Sequence, residues 1–97
     1  MTVYAIVQLS IRDRARYDRY SDAFLPVLHQ YGGRLLVADD EPRVLEGAWG
    51  GNRVVLLEFD DRGAFRAFAG SPEYQAIVGD RLASGDTVTT LVRGLPA

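Results

Sequence analysis

The chain has 97 residues, too few for two domains, and a chain of this size buries roughly 65% of the surface its unfolded form exposes, enough for one modest core. A hydrophobic fraction of 47% with 25% charged residues describes an ordered globular protein rather than a disordered chain. The net charge is -2 with acids and bases interspersed, all eleven basic residues are arginine, and cysteine is absent; this excludes a basic stripe for nucleic acid, a polybasic membrane anchor, Schiff-base lysine chemistry, disulfides and thiolate nucleophiles. Met1 to Ser10 has no basic leader and only a short, alternating apolar run, so neither a signal peptide nor a membrane span is expected, and the expected location is cytoplasmic.

Val3, Ala5, Val7 and Leu9 alternate with Tyr4, Ile6 and Gln8, which predicts a first strand over Val3–Ser10. Asp13 then offers an N-cap. Tyr17, Tyr20, Phe24, Leu28 and Tyr31 recur at spacings of three and four, with Arg14, Arg16, Asp18, Arg19 and Asp22 opposite, the pattern of an amphipathic helix. Pro26 predicts a kink or break near Phe24–Leu25, and Gly32-Gly33 a C-cap. Arg34–Ala38 reads as a second strand, Asp39–Pro42 as a turn, Arg43–Glu46 as a short continuation, and Gly47–Asn52 as a loop.

Arg53–Phe59 reads as a strand that is apolar on both faces: Val54 and Leu56 point one way, Val55, Leu57 and Phe59 the other. Asp60 or Asp61 caps a second helix carrying Phe65 and Phe68. Gly70 interrupts it, and Ser71-Pro72-Glu73 restarts it as N-cap, first-turn proline and first-turn acid, running to about Ala83. Asp86–Arg93, rich in Thr and Val, is the last strand. The order β-α-β-β-α-β predicts an α+β, ferredoxin-like fold over residues 1–97, with two helices on one face of a four-stranded antiparallel sheet. Four strands about 4.8 Å apart and about 18 Å long leave on the order of 350 Å² of open sheet. A homodimer packed through that face would cover it.

Five segments in register, Tyr31-Gly32-Gly33-Arg34, Leu45-Glu46-Gly47 with Trp49, Val55–Phe59, Ser71–Gln75 and Arg81, resemble the family called domain of unknown function 1330 (DUF1330), a branch of the dimeric α/β-barrel superfamily. The resemblance covers essentially the whole chain and implies the same fold and a dimeric α/β barrel. Relatives with that barrel include cofactor-free monooxygenases, lactone isomerases, haem enzymes and regulatory domains, so the resemblance implies no single activity. After Trp49, where the family commonly has proline, this chain has Gly50-Gly51, which predicts a looser loop.

Glu58 falls on the same strand face as Val54 and Leu56, where its charge needs a partner such as Gln8 or Arg93. It is the first acid-base candidate, with a structural ion pair as the simpler explanation. His29, the only histidine, is an alternate base at a helix end whose dipole also favours a cation. Arg34, Glu46, Trp49, Tyr74 and Arg81 form the candidate binding shell, the arginines suiting a carboxylate or enolate oxygen; Glu46 and Arg34 would otherwise pair across strands. Tyr20 and Phe24 read as core. No metal-ligand spacing is present, and neither metal nor other cofactor is expected. The expected function is binding of a small aromatic or carboxylated metabolite in a cleft between helices and sheet, with monooxygenase- or isomerase-like chemistry as one outcome and a non-catalytic sensing or interaction module as the other.

Overall fold

The computed structural model describes residues 1–96. Its elements are β1 (Val3–Ile11), α1 (Arg14–Gln30), β2 (Arg34–Asp39), β3 (Arg53–Phe59), α2 (Arg62–Ala69), α3 (Pro72–Ser84) and β4 (Gly85–Arg93). The strands form one antiparallel sheet in the order β2-β3-β1-β4, open rather than closed into a barrel within one chain. The helices lie on one face. Among the described residues no helix is long and apolar enough to cross a membrane.

Three side-chain caps set the helix starts: Asp13 accepts from the Arg16 amide, Asp61 from that of Ala64 and Ser71 from that of Tyr74. The end of α1 is a Schellman motif. The Gly33 amide donates to the Leu28 carbonyl and the Gly32 amide to that of His29, with Gly32 at φ 75°, a left-handed conformation that glycine adopts without strain. Gly33 serves a second purpose, because a Cβ there would lie 2.3 Å from a Leu28 methyl carbon and 2.7 Å from the Phe59 ring.

The predicted break at Pro26 does not occur, and α1 runs unbroken from Arg14 to Gln30. Pro26 and Asp22, whose carbonyl loses its helical donor, are both exposed, so water can serve that carbonyl and the helix continues. The predicted strand continuation over Arg43–Glu46 is likewise absent. Those residues are exposed and irregular, and β2 ends at Asp39. Asn52 then returns the chain to the sheet: its side chain accepts from the Ile11 amide at 2.8 Å and donates to the Ile11 carbonyl at 2.9 Å, completing the edge of β1 as a strand residue would. Trp49 lies against Gly51, where any Cβ would fall within 1.9 Å of the indole, so the second glycine makes room for the ring rather than simply loosening the loop.

The two faces of β3 divide as its pattern predicts. Val55, Leu57 and Phe59 are buried under the helices, together with Val3, Ala5 and Leu9 of β1 and Tyr17, Tyr20, Phe24, Leu28 and Phe68. Phe59, fully buried, meets Phe65 edge-on and Phe68 at a tilt, both with centroids 5.4 Å away; burying such a ring contributes about 1.5–3 kcal/mol. On the outer face, one row runs Val37, Leu56, Ile6, Thr90 and the next Arg34, Glu58, Tyr4, Val92. Arg93 is not on this face: it shares a row with Val3 and Phe59 on the helix side, because side chains alternate and Arg93 lies one residue beyond outward-facing Val92.

Candidate functional site

Between the helices and the inner sheet face lies a cavity of about 250 Å³. The sheet supplies its floor through Val7, Leu9, Val55 and Leu57, and the helices its roof through Tyr17, Tyr20, Phe24, Phe68 and Tyr74. The aromatic roof follows from the three-and-four spacing of the tyrosines and phenylalanine on α1, which aims them at the sheet, and from the Ser71 cap, which places Tyr74 in the first turn of α3. A broader hollow bordered by Met1, Asp61, Arg62 and Arg93 lies at the sheet end, but it is a depression among exposed residues rather than an enclosed space.

Three polar features interrupt the apolar lining. The hydroxyls of Tyr20 and Tyr74 hydrogen bond at 2.9 Å, their rings nearly perpendicular at 6.2 Å. Burial, followed by the neighbouring Tyr74 phenol, pushes the Tyr20 phenol well above its ordinary value, so it stays protonated. Arg81 sets its guanidinium 6.0 Å from the centre of the Tyr20 ring, within cation–π range, while its Nε is buried with no hydrogen-bond partner among the described residues.

The third feature is Arg53. Its Nε donates to the Tyr17 hydroxyl at 3.0 Å, its Nη1 to Asp40 at 2.7 Å, and its guanidinium lies 5.2 Å from the Tyr17 ring centre. Burial opposes its charge, but Asp40 and Tyr17 outweigh that and raise its pKa. Asp40 also accepts from both terminal nitrogens of Arg14, at 3.1 and 3.2 Å. Hydrogen bonds from Arg14 and then Arg53 hold the Asp40 carboxyl below the ordinary carboxylate range. One carboxylate thus ties the end of β2 to the starts of α1 and β3.

Of the residues singled out from sequence, the cavity brings together Tyr74 and Arg81 only. Glu58 and Arg34 meet elsewhere, on the outer sheet face, as directly opposed residues of β3 and β2 whose side chains form an ion pair; Arg34 also reaches Asp60 at 2.9 Å. These carboxylates raise the Arg34 pKa, Glu58 more than Asp60. The partner of Glu58 is therefore Arg34, not Gln8 or Arg93, and Glu46 does not pair with Arg34: it is exposed in the segment after β2. His29 is exposed in the last turn of α1, and Trp49 is half-buried against Gly51; neither lines the cavity.

Sequence reasoning missed Arg53, Asp40 and the hydroxyl role of Tyr17 and Tyr20. Two signals were available. A tyrosine on a buried stripe must place its hydroxyl somewhere, and an arginine two residues before the inward row Val55–Leu57–Phe59 shares that inward face.

Two helical segments and a connecting helix over one face of a β2-β3-β1-β4 antiparallel sheet define a ferredoxin-like protein, here with a cavity between its layers. The chain belongs to the family named domain of unknown function (DUF1330), whose model matches residues 2–95. No curated protein matches it. Among solved structures, a protein of unknown function from Rhodopseudomonas palustris is 18% identical, with a TM-score of 0.85 over 99% of this chain and 84% of that one. A dimeric ferredoxin-like protein of unknown function from Jannaschia sp. CCS1 is 20% identical, with a TM-score of 0.68 over 97% and 100%. A Caulobacter crescentus protein, provisionally assigned as an antibiotic biosynthesis monooxygenase, is 14% identical, with a TM-score of 0.67 over 98% and 91%. At these identities the likeness is one of fold.

Proposed function

We propose that this protein binds a small, largely apolar molecule in the cavity between its helices and its sheet, as a homodimer joined through the open sheet face. The cavity carries the reading: apolar and aromatic walls enclose about 250 Å³, and the few polar groups that interrupt them are suited to orienting a ligand. Binding is favoured over proton transfer by the two acid-base candidates, because Glu58 and His29 both stand outside the cavity. The dimer reading rests on the apolar centre of the outer face, where Val37 and Val88 are exposed and Ile6, Val54 and Leu56 only half-buried. The Jannaschia neighbour, named as dimeric, supports it. In such a pair the two open sheets would face each other and together form the barrel.

Thermal shift with benzyl alcohol tests the cavity. The ligand is expected to raise the Tm of the native protein and to leave that of Ala69→Phe unchanged, because Ala69 lines the cavity and a phenyl ring there fills it. An equal shift in both proteins places binding elsewhere and defeats the reading.

A further inference from the structure

We infer that the ligand of this cavity is a monoanion on a single ring, an aryl carboxylate of about ten non-hydrogen atoms, with Arg81 as its anchor. The inference rests on the cavity-binding reading above and narrows it by charge, size and shape.

Charge comes from Arg81. An arginine keeps its proton inside proteins, and burying a donor of a charged group without a partner is costly. Arg53, the other arginine of the lining, already has a counter-charge: Asp40 accepts from its Nη1, and the Tyr17 hydroxyl accepts from its Nε. Arg81 forms no ion pair with any described residue, its only close electrostatic companion is the face of Tyr20, and its Nε is the one buried side-chain donor among the described residues without an acceptor. One unmatched positive charge beside an apolar cavity calls for one negative charge on the ligand. A phosphate monoester would bring a second that nothing here balances.

A second donor points the same way. Tyr20 and Tyr74 carry two hydroxyl hydrogens and use one between themselves, so one remains to be offered. A carboxylate has two oxygens, one for the terminal guanidinium nitrogens of Arg81, which lines the cavity and is half-buried while its Nε is closed off, and one for that phenol. Size follows from comparison: a cavity of about 150 Å³ holds benzene, so one of 250 Å³ holds about ten non-hydrogen atoms. A long acyl chain does not fit. Shape follows from the roof, which Tyr20, Phe24 and Phe68 line with aromatic rings suited to a flat guest.

Benzoate and its uncharged counterpart benzyl alcohol are the probes, with affinity measured by calorimetry on the native protein, Arg81→Met and Arg81→Lys. Benzoate is expected to bind native protein about tenfold or more tightly than benzyl alcohol, as a charge-assisted hydrogen bond predicts. In Arg81→Met that preference disappears while benzyl alcohol binds as before. In the native protein the Nε–Hε resonance of Arg81 shifts on adding benzoate and not on adding benzyl alcohol. If Arg81→Met fails to fold, Arg81→Lys, which keeps the charge but lacks the planar guanidinium fork, must weaken benzoate alone. Equal affinity for the two probes, or a benzoate preference that survives both substitutions, overturns the monoanion and leaves the cavity reading standing. Binding of neither probe overturns both.

Discussion

The two faces of the sheet are built from the same kinds of residue and end in different states. On the helix side Ala5, Leu9, Val55, Leu57 and Phe59 are buried, whereas on the outer side Ile6, Val54 and Leu56 are half-buried and Val37 and Val88 open to solvent. Their charges differ more. The outer face answers Glu58 with Arg34 directly across the strand boundary, so this half-buried acid is paired before anything covers it. The helix side carries Arg81 with a buried donor unanswered. An acid already paired at the centre of a face lowers the desolvation cost of covering it with a second chain, while a cation without a counter-charge favours an anion. Under the proposed function, the contrast gives association to one side and recognition to the other.

Four substitutions can break or sharpen that contrast. The largest effect is expected from Phe59→Ala, which empties the centre of the helix-side core and should lower unfolding free energy by about 3–5 kcal/mol in urea titration; a loss under 1 kcal/mol would mean that the aromatic cluster is not the core. Leu56→Glu acts on the other face. With a dimer through that face, light scattering should show the mass falling from two chains to one while circular dichroism stays native, and an unchanged two-chain mass would move the interface elsewhere. Next comes Tyr20→Phe, which removes one partner of the buried hydroxyl pair and should cost about 1 kcal/mol of stability; no measurable cost would show that Tyr74 is satisfied without it.

Asp40→Asn is the smallest. The Asp40 side chain is 47% exposed, so screening limits the expected loss at neutral pH to a few tenths of a kcal/mol up to about 1. Arg14, then Arg53, lowers the folded-state pKa of Asp40, so its contribution is present above its unfolded value, near 3.9, and is lost as pH falls through the lowered folded value. The stability difference between native and Asp40→Asn should therefore be constant near pH 7 and shrink below about pH 4. A difference that grows on acidification reverses the assigned sign.

The fold was legible because its signals are local and mutually consistent. Alternation in Val3–Leu9, the stripe from Tyr17 to Leu28, the caps at Asp13 and Ser71 and the glycine pair after α1 each specify an element by themselves. The errors came where a local rule met tertiary context: Pro26 lies on a wet helix face that tolerates the lost bond, and Arg43–Glu46 has strand-like residues but no strand to pair with. The candidate site was only partly legible. Tyr74 and Arg81, whose segments stood out, line the cavity, but Glu58 was given Gln8 or Arg93 as its partner since nothing in the sequence reveals that Arg34 lies directly opposite. Asp40 was invisible for the same reason, and Arg53 showed only its inward register. Their meeting with Tyr17 and Arg14 depends on a turn geometry that joins three chain segments.

The position of β1 has a kinetic consequence. It precedes every strand that flanks it, and its neighbours are residues 53–59 on one side and 85–93 on the other, with Val3 opposite Arg93. Contacts so distant along the chain close late, which slows folding relative to a helical protein of equal length. During synthesis β1 and its apolar side chains wait with both hydrogen-bonding edges bare until β3 and then β4 emerge. A nascent or truncated chain that stops before Gly85 would present one such edge permanently, making the final nine-residue strand the element that separates a soluble product from an aggregating one.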